Sequence, residues 1–343
     1  MSSSTTSRER DTKWLRALIV VPVVLAITLP TFAWPSARLS PRDLPFGVAG
    51  PSRATQPVEQ KLAQQSGAFE VHRYSNEGAA RQAIEDRDIY GALVVSNSGT
   101  TLLTAPAASP TVAATLESAF AEPSPSQAAK NEPPAKVVEV VPADTDDPRG
   151  TAFGALVLPL VLSSVGMAVT IILSTRPGIR RAVVLVGASA LGGVVATALM
   201  QSWLGVIGGE WIVNAGVLSL TMLSIAAALA GLESMFGWLG FGLGAAVMVL
   251  VGNAWSGISS APEMLPKPLG LIGQLLPPGA GGNLLRSTAF FDSAGGASHL
   301  TVLALWAGLG LAGIWAGALV RRRRAGGSVH PLEQAVPAAG QTA

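Results

Sequence analysis

Catalysis needs a nucleophile, a base or a metal cluster, and this 343-residue chain offers few of them. It has three histidines, His72, His299 and His330, and no cysteine. No two histidines share the H-E-x-x-H spacing that puts both rings on one helix face for zinc. The missing thiols remove thiolate nucleophiles, cysteine metal sites and disulfides. Each histidine therefore reads as a surface or capping residue. One Ser/His arrangement exists, Ser256 in Asn253-Ala254-Trp255-Ser256-Gly257 together with His299, which an intramembrane hydrolase could use. It lacks both a nucleophile motif and an orienting third group. No G-x-x-x-x-G-K phosphate loop is present, so an ATP-driven role requires a separate ATP-binding subunit. The chain reads as a non-enzyme with no cofactor and no metal.

The remaining chemistry lies in polar side chains set among apolar ones. Gln201, Glu210, Asn214, Glu233 and Asn253 fall within or at the ends of long apolar runs, where a carboxylate at the bilayer centre costs about 2.5–3.5 kcal/mol on insertion scales. They mark either a transport path or helix packing. Glu210 and Glu233 bracket one run, which predicts solvated helix ends near opposite interfaces. Gln201 and Asn214 lie deeper and read as interhelical hydrogen bonds of about 1 kcal/mol or less.

Those residues need a scaffold of membrane helices, and the composition predicts one. Hydrophobic residues make up 49% of the chain and charged residues 13%, against about 25% charged in ordinary soluble domains, so lipid is the expected solvent. A net charge of +2 with no basic, aromatic-interleaved face excludes a nucleic-acid partner. Arg8, Arg10, Lys13 and Arg16 flank an apolar run over 14–35, long enough to cross about 30 Å of hydrocarbon. The run is too long for a usual signal-peptide core, although Thr31-Phe32-Ala33 leaves cleavage open. Pro22 and Pro30 predict a kinked or shortened helix. Five further runs follow: Ala152 to Leu173, Ala182 to Leu204, Trp211 to Leu232, Phe236 to Val251 and Leu300 to Val320. The expected fold is an α-helical polytopic membrane protein of about six spans with an inserted small α/β domain.

Residues 36–121 form that domain. The pattern predicts strands at 44–49, 69–74, 89–95 and 100–104, with helices at 57–65, 76–86 and 111–120, in β-α-β-α-β-β-α order with parallel strands. Ser75 or Asn76 is the expected cap of the second helix. A Pro-rich linker, 122–150, holds one β-branched stretch, 137–141, as a possible edge strand. The positive-inside rule then orients the chain. Six spans put the tail 1–13, the arginines of 174–181, the Glu233 connection and the tail 321–343 on the cytoplasmic side of the plasma membrane, with 36–150 outside. Inside the five-helix block 151–320, the outer segment 255–299 is apolar but broken by Pro262, Pro266, Pro268, Pro277 and Pro278, and its pieces are too short to cross. It reads as a re-entrant or interfacial hairpin, or as a Pro-rich surface loop. Gly192-Gly193 and Gly240-Phe241-Gly242-Leu243-Gly244 would let helices approach closely, for folding or for a dimer.

This layout resembles the permease subunits of the ABC-2 type, most of all their YhgE/Pip-like branch. The resemblance rests on Asp147-Pro148-Arg149-Gly150, Asn253-Ala254-Trp255-Ser256-Gly257, Pro262-Glu263-Met264-Leu265-Pro266, Leu275-Leu276-Pro277-Pro278-Gly279-Ala280 and, after Asn283, Leu284-Leu285-Arg286-Ser287. It implies that Pro262, Glu263, Met264, Pro277, Pro278, Gly279, Asn283 and Arg286 belong to the family's outer hairpin. It also implies export of an apolar or amphiphilic substrate by a homodimer or heterodimer driven by a separate ATPase. The ATPase of such permeases grips a coupling helix, for which 174–181 leaves about eight residues. A non-transporting scaffold, secretion accessory or surface receptor acting through the outer domain is the alternative.

Overall fold

The computed structural model describes residues 5–65, 67–97, 99–121 and 134–326, with side chains from 18 to 323 among them. Of the expected tails 1–13 and 321–343, residues 1–4 and 327–343 lie outside the described residues, as does the linker's 122–133, while 5–13 and 321–326 continue the helices α1 and α11. Helix α1 (Thr5–Ser36) runs unbroken through Pro22, Pro30 and Pro35, so the prolines do not shorten it. Its apolar side chains from Leu18 to Leu29 stay exposed, as expected of a helix whose solvent is lipid. Its C-terminal end is tied down where the Trp255 indole donates to the Thr31 carbonyl at 3.2 Å.

After α1 the chain builds one five-stranded sheet, with β1 (Leu44–Ala49), α2 (Ser52–Ala63), β2 (Phe69–Tyr74), α3 (Glu77–Glu85), β3 (Gly91–Ser96), β4 (Gly99–Thr104), α4 (Pro110–Phe120) and β5 (Lys136–Glu139). The order across the sheet is β2-β1-β3-β4-β5. β1 is parallel to both β2 and β3, β3 and β4 form an antiparallel hairpin, and β5 adds a parallel edge to β4. Helices cover both faces, which is why β1 and β3 read as nearly continuous apolar runs and not as alternating ones. Asn76 caps α3 by accepting from the Ala79 amide at 2.9 Å. On one face Phe46, Phe69 and Phe120 form an aromatic trio, Phe46 stacking on Phe120 at 5.3 Å.

The membrane block starts with α5 (Thr151–Ala155), whose first turn is held by Asp147: its carboxylate accepts from the Phe153 N–H at 2.8 Å and from the Thr151 hydroxyl at 3.3 Å. It continues with α6 (Val157–Ser174), α7 (Ile179–Thr197, extended by a π-turn Ala198–Trp203), α8 (Trp211–Ala246, extended by Val247–Gly252), α9 (Leu269–Gln274), α10 (Pro277–Phe290) and α11 (Ala297–Gly326). Among the described residues five stretches are long and apolar enough to cross a membrane. The longest, Trp211–Gly252, is not one straight rod. Gly237 sits at φ 70°, ψ −159°, a region essentially closed to residues with a Cβ, and the chain folds back there. A Cβ on Gly240 would lie 2.7 Å from the Leu232 carbonyl, and one on Gly244 would lie 3.0 Å from the Leu229 side chain. Residues 8 and 15 positions apart meet only if limbs 211–236 and 238–252 run antiparallel. The break expected around Glu233 thus falls at Gly237. Gly237→Ala is expected to cost about 1–3 kcal/mol, read as a lower thermal midpoint of the purified protein. An unchanged midpoint would show that the reversal does not depend on this glycine.

Backbones touch where glycines remove side chains. Gly193 packs on the Ala215 carbonyl and Gly192 on Met222, so these small residues serve folding within the chain, while Gly242 faces open space. A second seam joins α8 and α11: Gly231 faces Gly310, and Gly317 packs on Ser234.

The segment 255–299 is neither a span nor an exposed loop. Residues Pro277 to Ala289 of α10 are buried throughout, at about 20 Å of length. Phe291 inserts into the core on one face of the sheet, and Ala261 and Met264 into the core on the other. The sheet domain is thereby seated on this hairpin.

Candidate functional site

α10 forms a wall between two cavities. On one side, under the amino ends of β1, β2 and β3, lies a polar cavity of about 580 Å³ lined by residues including Arg87, Tyr90, Glu263, Gln274, Asn283 and His299. On the other, among α6, α7, α8 and α10, lies an apolar crevice of about 500 Å³ whose lining includes Leu160, Val195, Leu199, Leu218, Gly282 and Leu285. Both fall in the size range of small-molecule sites.

The polar cavity is built by side chains that lock sheet to hairpin. Arg87 follows α3 in a left-handed conformation, φ 64°, which ends the helix and swings its guanidinium down onto α10. There it donates to the Asn283 carbonyl at 3.1 Å, to the Ser287 hydroxyl and to the Asn283 side-chain oxygen at 3.3 Å, and it lies 5.3 Å from the Phe291 ring centroid. Burial lowers its pKa, with Tyr90 and Glu263 opposing that shift. The Tyr90 hydroxyl donates to Glu263 at 2.8 Å, and burial, then Glu263, raises its pKa, so it stays a donor. Arg286 donates to the same Asn283 oxygen at 3.2 Å and to the Ile258 carbonyl at 2.7 Å, over the Phe153 ring. Its Nε is buried with no hydrogen-bond partner among the described residues. Asn283 donates onward to Gln274 at 2.7 Å, and Gln274 to the Ser256 carbonyl at 2.6 Å.

No family model, no curated protein and no solved structure matches this chain. The geometry alone must therefore sort the residues singled out by type and spacing. Glu263 and Asn283 line the polar cavity, and Arg286 stands behind Asn283. Pro262 and Met264 form a 3₁₀ turn whose methionine enters the sheet core. Pro277 and Pro278 open α10, with the Pro278 ring against Gly252, and Gly279 packs on the Gly273 carbonyl. Ser256 and His299 do not meet: the Ser256 hydroxyl donates to the Asn253 carbonyl at 2.9 Å, whereas His299 lines the polar cavity. Asn253 is half-buried at the top of the second limb of α8.

Gln201 and Asn214 are brought together. Asn214 donates to Gln201 at 3.0 Å and to the Gly208 carbonyl at 2.7 Å, and accepts from Thr288 on α10 at 2.7 Å. These bonds tie the loop 205–210 and α10 to α8 as packing contacts. Glu210 is exposed at the start of α8, as expected of a helix end. Glu233 corrects the solvated-end reading. It is 7% exposed, and its carboxylate pairs with Arg181, itself 2% exposed. Arg321 of α11 reaches the other oxygen at 3.4 Å. Arg181 also donates to the Ile172 and Thr175 carbonyls, closing the C-terminal end of α6. Thr175, at the start of the connection between α6 and α7, holds the Arg181 side chain of this cluster.

Arg87, Tyr90 and Arg181 carry these contacts and were not singled out from the sequence. Arg87 left one trace there, a charged Arg-Asp pair wedged between a helix and a strand with no loop to hold it in solvent. Arg181 left none that separates it from its neighbour Arg180.

Proposed function

We propose that this chain is a multi-pass plasma-membrane permease subunit of the ABC-2 kind, moving an apolar or amphiphilic substrate outward. The observation that supports this reading is the apolar crevice flanked by lipid-exposed Leu191, Val195 and Trp203, one helix away from a polar cavity. An apolar chain could slip from lipid into such a crevice without desolvating a charge. Counting the two limbs of α8 separately makes six spans. The Arg181–Glu233–Arg321 cluster gathers the basic ends at one end of the block, and the sheet domain sits at the other. By the positive-inside rule both termini are then cytoplasmic and the sheet domain lies outside. The exposed apolar face of α1 suits lipid or a second subunit in a dimer. Energy would come from a separate ATPase.

The test is efflux of a fluorescent single-chain amphiphile from cells overproducing the protein, alongside copurification for an ATP-binding partner. Filling the crevice with Val195→Trp is expected to reduce efflux at least about tenfold, as pocket-filling changes do, while the protein still folds. Unchanged efflux in that variant, or no efflux in the parent, would remove the permease reading.

One observation favours a scaffold or receptor role as the second reading. The connection 175–178 between α6 and α7 is too short for a helix that an ATPase could grip. Capture of a partner through the sheet domain, with efflux absent, would support it.

A further inference from the structure

Buried charges in proteins are ordinarily paired, because an uncompensated ion in a low-dielectric site is costly. Arg286 breaks that pattern, and half-buried Arg87 stands beside it. They share one amide oxygen on Asn283, and among the described residues neither is within ion-pair distance of a carboxylate. Arg286 is 3% exposed and leaves its Nε without a partner. Arg87 thus lines the floor of the polar cavity, and the Arg286 charge stands behind it across Asn283, so the floor is positive.

Its mouth is not. The exposed lining residues include Glu70 and Asp88. Lys267, also in the lining, is cancelled by Asp43, and the lining Arg42 keeps its charge but is turned to the carbonyls of Arg38, Ser40 and Met264, so Glu70 and Asp88 leave the mouth net acidic. Between floor and mouth, Glu263 is held by Tyr90 through Oε2 only. Its other oxygen has no hydrogen bond among the described residues.

A simple anion would meet the acids at the mouth and a simple cation the guanidinium floor. A molecule carrying both charges satisfies the two together. We infer that this cavity binds a compact zwitterion, with its phosphate or carboxylate at Arg87 and its primary ammonium at Glu263 and the acidic mouth. The inference deepens the permease reading and rests on it for the role of the site, because such a zwitterion is the headgroup an amphiphilic substrate would present. A free zwitterion of the same chemistry fits equally.

The test uses the full-length protein in lipid nanodiscs and four probes: phosphoethanolamine, β-alanine, inorganic phosphate and ethanolamine. Phosphoethanolamine or β-alanine is expected to bind at least about tenfold more tightly than phosphate or ethanolamine alone, since both ends are engaged by charge-assisted bonds. Glu263→Gln keeps an acceptor for Tyr90 and should fold. It is expected to remove the advantage of the zwitterion over phosphate, while phosphate, no longer facing a carboxylate, binds at least as tightly as in the parent. Arg87→Gln should weaken zwitterion and phosphate alike, but it also loosens α10, so the glutamate variant is decisive. Equal binding of phosphate and zwitterion, no binding of either zwitterion to folded protein, or an unaltered zwitterion affinity in Glu263→Gln would each overturn the inference.

Disc composition separates the sources. Phosphatidylethanolamine discs should compete with the free probe, and phosphatidylglycerol discs should not, if a lipid headgroup is the ligand. Equal binding in both would assign a free zwitterion. Binding without any efflux would overturn the permease reading and leave this site standing.

Discussion

Glu233→Ala is expected to lower stability by about 3–5 kcal/mol, the cost of stripping one partner from a buried ion pair. The loss comes less from the missing attraction than from Arg181, which would remain charged and 98% covered with no counter-ion. Three controls separate this from a generic helix defect. Arg321→Ala removes the outer member of the cluster, which is half-exposed, and should cost under about 1 kcal/mol. Glu233→Gln keeps acceptor geometry without charge and should fall between the two. The double variant Arg181→Met with Glu233→Met should lose less than Glu233→Ala, because no ion is left unpaired; what it still loses is the closure of α6, where Arg181 holds the Ile172 and Thr175 carbonyls. Thermal unfolding of the purified proteins in one detergent gives the ranking. A Glu233→Ala protein within 1 kcal/mol of the parent would mean that water reaches the cluster.

The second large effect is expected at the seam of α8 and α11. Gly310→Leu would place a Cβ 2.3 Å from the Ala227 carbonyl carbon, and backbone cannot rotate out of the way as a side chain can. The helices must separate, and the neighbouring contacts of Gly231, Gly313 and Gly317 must loosen with them. Membrane helices associate through such close packing and not through a hydrophobic drive, so little else compensates. Overpacking costs about 1–3 kcal/mol and occasionally more, and this site belongs at the upper end. Gly308→Leu is the matched control. Gly308, two residues away on α11, has nothing within 4 Å of its would-be side chain, and that variant should stay within about 0.5 kcal/mol of the parent. Equal loss at both positions would indicate that leucine disturbs α11 itself and not its seam.

Several of the contacts above were visible in the sequence because their signal is local. The strand 44–49 and the cap at Asn76 depend on residues within a few positions of one another, and the structure places β1 and α3 there. Gln201 and Asn214 were legible as polar glue because an amide in a long apolar run has few other uses. Glu233 was misread for the opposite reason. A glutamate beside a helix end looks solvated until α7 packs along the first limb of α8 and sets Arg181, 52 positions earlier, against it. Segment 255–299 was legible as too broken to span, because proline spacing limits helix length. That α10 would be buried on every side was not legible, because it is enclosed by α8, by α11 and by Arg87 of the sheet domain, which no local pattern brings together.

The sequence by itself determined the medium, since long uncharged runs flanked by arginines leave lipid as the only solvent they suit. It also determined the local elements, because hydrophobic period and turn chemistry act over a few residues. Only the tertiary structure decided which charges are hidden, that Arg87 and Arg286 converge on Asn283, and that α10 separates a polar cavity from an apolar one. Each of those depends on distance in space between residues far apart in the chain, which no local pattern encodes.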